Sequence, residues 1–286
     1  MVGVTDGVAV ASLKQAVPSA PNDMITLIEE WAEYSDRISA IRRFEWMLKD
    51  VHLHAPIPRP GKIFAIGLNY ADHAAEAGLQ PPKEQLWFSM PGTAVNGPYD
   101  PIERPLVSEQ LDYEGELVVI IGRRSRHLTR ETAMKAIFGY CVGNDVSVRD
   151  WQTMTTQVTL GKSFDTHAPF GPWIVTADTI DSSDLAISSF VNGKRRQHSR
   201  TRHLIFDVAA QISHLSKAMT LEPGDVIFTG TPAGVGAAMK PPAWLRSGDV
   251  VRVEIENVGH IENRVVDEET PHGWIPSVGE RWIKDS

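Results

Sequence analysis

Beyond Lys62 the apolar residues fall into many short runs, and this spacing limits the fold more than any other feature of the chain. The runs starting at Lys62 (KIFAIG), Leu117 (LVVIIG), Trp173 (WIVTA), Ala186 (AISSFVNG), Asp225 (DVIFTG) and Val250 (VVRVEIENVG) are rich in Val and Ile and bounded by Gly, Asp or Asn. Such runs read as strands closed by turns. Helical spacing appears only in the shorter stretches 72–77, 129–137, 149–155 and 206–219. Strands this numerous, with helices this short and irregular, do not fit an alternating parallel α/β sheet. The class is α+β and mostly β: a mixed sheet core with peripheral helices.

The first 58 residues have a different texture. Residues 2–7 and 8–13 read as short strands around a turn, residues 23–31 have helical spacing, and that spacing resumes over 38–48. Three prolines between His54 and Gly61 then block both a helix and a central strand. This places a small N-terminal α/β domain over 1–58, or a decoration packed on the main unit, and a catalytic domain over 59–286.

Composition excludes several classes. With 28 Lys plus Arg against 36 Asp plus Glu, the net charge of −8 argues against a nucleic-acid binder. A nucleic-acid role would have to use the arginines at 123, 124, 126 and 130 or the basic run 194–202, and the turn signal Asn192-Gly193 makes the second run exposed loop charge. No apolar run reaches the ~18 residues of a membrane span. Acidic Asp6 and the lack of a basic leader segment argue against secretion. The single cysteine, Cys141, allows neither an intramolecular disulfide nor a multi-thiolate zinc site. A cytoplasmic protein without nucleic-acid or membrane partners is expected. Packing is the default for Cys141 and His167.

The segment 111–122, LDYEGELVVIIG, carries the most chemistry. Side chains alternate along a strand, so Glu114 and Glu116 share a side. Two carboxylates leading into an apolar run repel each other if buried, unless a hard divalent cation binds both. The alternative is a solvated strand start whose acids blunt an edge. Further on, Asp145, Arg149 and Gln152 are spaced i, i+4, i+7, one face of a helical turn. They suit an anionic substrate beside a cation; alternatively Asp145 caps the helix and pairs with Arg149. His73 and Glu76 lie i, i+3 on a short helix that Gly78 can end. A carboxylate-oriented histidine can take a proton near neutral pH, or the pair is a surface contact. Residues 79–84, with two prolines, have the chemistry of a mobile lid. Lys162 and the glycine-bearing turn around Thr231 offer an ammonium and backbone amides to a carboxylate, and neither fits a phosphate loop.

In this order the segments GLNYADHAAE, DYEGEL, NDVSVRDWQ, GKSFD, VNG and PGDVIFTGTPAGVG resemble the fumarylacetoacetate hydrolase superfamily, from about Lys62 to Asn263. The resemblance is to members that cleave acylpyruvates and other 2,4-diketo acids. It implies a rolled mixed β-sheet, a homodimer, and one Mg²⁺ or Mn²⁺ held by Glu114, Glu116 and Asp145. It further implies substrate contacts from Arg149, Gln152 and Thr231, an active-site lysine at Lys162, and water activation by His73 and Glu76. The implied reaction is hydrolysis of a C–C bond through a metal-stabilised enolate of a pyruvate-type product. The same site suits decarboxylation of oxaloacetate, or isomerisation or hydration of unsaturated 2-keto acids. One departure is Met90, where many relatives carry a lysine.

Overall fold

The Gly115–Ile121 strand is buried at every residue, as a run apolar on both faces requires. In the computed structural model, which describes residues 1–76 and 78–269, it lies at the middle of a seven-stranded mixed sheet. The order is Leu86–Met90, Ile63–Gly67, Val226–Phe228, Gly115–Ile121, Ile137–Asn144, Ala168–Thr176 and Val95–Asn96. The central strand runs antiparallel to both neighbours, while Val226–Phe228 is parallel to Ile63–Gly67.

Alternation divides the central strand between two cores. Val118 and Ile120 pack with Ile63, Ala65, Met90, Cys141 and Phe228. Leu117, Val119 and Ile121 pack with Ile187, Val253 and Ile255, and with Ile212 and Leu215 of the Val208–Ala218 helix. That second face is covered by a five-stranded sheet ordered Lys194–Arg200, Ala186–Val191, Val250–Ile255, Gly259–Asp267 and Ile102–Arg104. The result is the strand-dominated, curled α+β fold that the spacing predicts. Among the described residues no helix is long and apolar enough to cross a membrane.

Two local expectations change. Helical spacing over 38–48 gives way: the Trp31–Ser39 helix ends, and Trp46–Met47 becomes the third strand of a small sheet with Gly3–Thr5 and Ala9–Ser12. Glu45 and Leu48 donate backbone hydrogen bonds to Val10 and Val8, so pairing along a sheet edge overrides local propensity. The basic run is likewise a strand, Lys194–Arg200, rather than a loop. The turn residues Asn192 and Gly193 adopt positive φ and return the chain onto Ala186–Val191. Gln197 and Ser199 then face inward while Lys194, Arg195 and His198 face solvent.

The N-terminal elements pack in two directions. Leu13, Val17, Leu27, Tyr34 and Ile38 form their own cluster, whereas Ile28, Ala55 and Ile57 join the core beside the central strand. Trp31 meets Phe138 edge to face at 5.0 Å.

Candidate active site

Strand pairing assembles the carboxylates. Glu116 lies opposite Gly143 on the neighbouring strand. Asp145 follows that strand directly, and its backbone N–H donates to the Glu114 carbonyl at 2.9 Å. Oxygens of Glu114, Glu116 and Asp145 thereby come within 4.8 Å of one another, all three side chains buried. The expected helical face of Asp145, Arg149 and Gln152 does not form. Ser147–Val148 is extended and pairs with Leu111–Asp112, so the helix begins only at Arg149. Arg149 consequently pairs not with Asp145 but with Asp112 (Nε–Oδ2 2.9 Å) and Glu114 (Nη1–Oε1 2.6 Å). Its Nη1 also donates to Gln152 Oε1 at 2.9 Å, which leaves the Gln152 amide NH₂ to face elsewhere.

Lys162, 2% exposed, reaches the same group. Its Nζ donates to Glu114 Oε2 at 2.8 Å and to Asp145 Oδ2 at 2.7 Å, and sits 5.2 Å from the Phe88 ring centre. Gly161 permits this approach, because a Cβ there would lie 2.3 Å from the Gln152 backbone nitrogen. Gly230 closes the opposite side: its N–H donates to Glu116 Oε2 at 2.7 Å with φ at +103°, a conformation that favours glycine. Thr231, expected as a substrate contact, spends its hydroxyl within the chain. It donates to the Gly115 carbonyl and accepts from Gln197 Nε2, tying the turn to the central strand.

His73 and Glu76 stand on the short Ala71–Glu76 helix, which the positive φ of Gly78 follows. His73 Nδ1 is 3.7 Å from Glu76 Oε2, an ion-pair distance longer than a hydrogen bond. Both Glu76 oxygens accept the Gly234 N–H, at 3.0 and 2.9 Å. The helix is therefore pinned to the loop that follows Thr231. Met90 is buried in the apolar core, where a lysine would be costly.

Two residues near the site were not singled out by the sequence reading. Asp112 is fully buried, binds Arg149, and accepts the Gly236 and Ala237 N–H groups. Its signal was present, since Asp112, Glu114 and Glu116 occupy alternate positions. The Tyr70 hydroxyl is buried without a partner, and its pKa is raised by burial and then by the Glu116 charge. Tyr70 lies within the GLNYADHAAE segment, but no spacing there gives its hydroxyl a role.

Electrostatics favour a bound cation. Burial, then the charges of Asp145 and Glu114, push the Glu116 carboxyl well above its ordinary range. Burial chiefly, with Glu114, pushes Asp145 up to about 7 against the pull of Lys162. Burial acts on Glu114 in the same sense, but Lys162 and Arg149 outweigh it and hold that carboxyl at about 2. Fully ionised, the four acids Asp112, Glu114, Glu116 and Asp145 exceed Lys162 and Arg149 by two negative charges. Asp145 Oδ1 is buried with no hydrogen-bond partner. One divalent ion would satisfy both conditions, and all-oxygen donors suit a hard ion.

Residues 62–266 match the family described as fumarylacetoacetate (FAA) hydrolase C-terminal, and the chain belongs to that family of enzymes. It is 46% identical to the oxaloacetate tautomerase fahd2, mitochondrial, of Xenopus laevis, over 76% of this chain and 69% of that protein. A solved fumarylacetoacetate hydrolase from Exiguobacterium antarcticum superposes with a TM-score of 0.79 at 38% identity, covering 93% of this chain and 95% of that one. The maleylpyruvate hydrolase of Sphingobium sp. SYK-6, solved with manganese(II) and pyruvate, gives a TM-score of 0.79 at 34% identity, covering 93% and 96%.

Proposed function

We propose that the protein interconverts the keto and enol forms of a 2-oxo acid of the oxaloacetate type, using Mg²⁺ or Mn²⁺ held by Glu114, Glu116 and Asp145. The observation that carries this reading is the convergence of those three buried carboxylates on one another, with the Lys162 ammonium bonded to Glu114 and Asp145. The name of the Xenopus relative supports the substrate class. When bound, the divalent ion supplies Lewis acidity toward the substrate's carboxylate and keto oxygens.

The remaining roles follow from the chain's own groups. His73 takes a proton from the carbon next to the keto group, breaking that C–H bond, and the electron pair moves onto the keto oxygen. Burial favours a neutral Glu76, but His73 and the Gly234 N–H outweigh it and hold its carboxyl below the ordinary range. Glu76 therefore stays ionised and stabilises the imidazolium. Lys162, kept charged by Asp145 and Glu114 although burial opposes it, offsets the developing oxyanion. His73 then returns the proton to oxygen, giving the enol. The Gln152 amide NH₂, its oxygen held by Arg149, donates to the substrate carboxylate, and Arg149 fixes Glu114 rather than the substrate.

The His73–Glu76 pair favours a second reading, hydrolysis of a C–C bond in 2,4-diketo acids such as acylpyruvates. There the same base activates water. Assays with Mg²⁺ and Mn²⁺ separate the two. Oxaloacetate tautomerisation faster than acylpyruvate cleavage, and lost in His73→Ala, supports the first. Acylpyruvate cleavage with no acceleration of tautomerisation overturns it in favour of the second.

A further inference from the structure

Away from the carboxylate site, His52, His54 and Asp100 bring one ligand atom each within 4.8 Å of one another. His52 Nε2 is 3.1 Å from Asp100 Oδ1, and the two imidazoles meet edge to face at 4.6 Å between ring centres. We propose that these three side chains form a second metal site, for a borderline transition ion such as Zn²⁺, that fastens the segment after the N-terminal elements to the catalytic domain.

The donor chemistry differs from that of the first site. Two imidazoles and a carboxylate suit Zn²⁺, whereas three carboxylates suit a harder ion. Tetrahedral zinc with bonds of roughly 2.0–2.1 Å separates its ligand atoms by about 3.3 Å. The His52–Asp100 pair already has nearly that spacing. An ordinary hydrogen bond accounts for this pair, but not for a third ligand residue converging on it. His52 is 58% exposed and His54 is exposed, so the cluster is open to an ion from solvent. A fourth position is left to water.

The backbone beneath the ligands is fixed. Ala55 and Ile57, just past His54, are buried in the main core, and Pro56 and Pro58 restrict the chain between them. Asp100 closes a turn whose Gly97 and Asp100 carbonyls both accept from the buried Asn263 amide. A Cβ on Gly97 would lie 2.1 Å from Asp100 Oδ2 and 3.2 Å from the Leu53 carbonyl oxygen. The two segments are thus in close contact, with the histidines on one and the aspartate on the other. His52 and His54 also line an open groove of about 1130 Å³, which gives an ion a route in.

Zn²⁺ titration of metal-stripped protein by calorimetry, with Mg²⁺ in excess to occupy the carboxylate site, tests this. Wild type is expected to bind a Zn²⁺ that His52→Ala/His54→Ala binds more than about tenfold more weakly, the loss that even an outer partner of a ligand can cause. Asp100→Asn, which preserves side-chain volume, should lose affinity in the same way. Mg²⁺-dependent turnover, measured before Zn²⁺ is added, should match wild type in all variants, showing an intact fold. Equal Zn²⁺ stoichiometry and affinity in wild type and variants would overturn the proposal, whatever reaction the carboxylate site performs.

Discussion

Lys162 and Asp145 meet at 2.7 Å with both side chains out of solvent. Breaking a buried ion pair by removing one partner costs about 3–5 kcal/mol. Lys162→Met should therefore lower the melting temperature of the metal-free protein, and Mg²⁺ should restore part of the loss by replacing the missing positive charge. Turnover should fall by about 10²–10³, the cost of losing one oxyanion-stabilising group. Thermal melts with and without Mg²⁺, alongside kcat, check both effects. An unchanged melt would contradict the buried pairing.

Gly161 controls where Lys162 lands. A methyl group there meets the Gln152 backbone at 2.3 Å, and backbone cannot rotate away. Gly161→Ala should displace the Val158–Lys162 turn from the Arg149–Thr153 helix and reduce kcat by about 10², as misplacement by an ångström can. Steady-state kinetics on the folded variant test this, and wild-type kcat would show that the contact does not position the lysine.

His167 makes stability depend on pH. Burial pushes its imidazole down to about 4, although its bond with the Glu103 carbonyl acts in the opposite sense. An unfolded histidine titrates near 6.5, so the folded state resists protonation. The resulting stability is full above about pH 6.5 and is lost as pH falls toward 4, on the order of 3 kcal/mol in all. Urea unfolding of wild type and His167→Gln between pH 7 and 4 should show a shallower decline in the variant. Parallel declines would contradict the assignment.

Much of this architecture was legible because it depends on short-range periodicity. Alternation placed Glu114 and Glu116 on one side, and the apolar run after them marked the central strand. The same rule extends to Asp112, two residues before Glu114. What periodicity could not supply was pairing at long range. Asp145 reaches Glu114 through the register of two strands, and the extended Ser147–Val148 pair overrides helical spacing between Asp145 and Arg149. The Lys194–Arg200 strand has no apolar alternation to mark it, because its charges lie on the solvent face and its inward residues are Gln197 and Ser199. Thr231 shows the remaining limit: the family resemblance implies a substrate contact there, and no periodicity carries the bonds its hydroxyl makes in the fold to Gly115 and Gln197.

Glu114, Glu116 and Asp145 are proposed to hold one divalent ion together. Calorimetric titration of metal-stripped wild type and Glu116→Ala with Mg²⁺, a hard ion that avoids the imidazole pair, tests it most directly. The variant should remain folded, lose Mg²⁺-dependent turnover, and bind Mg²⁺ more than about 100-fold more weakly, beyond the loss of an outer-sphere partner. Unchanged Mg²⁺ affinity in Glu116→Ala would contradict the metal centre.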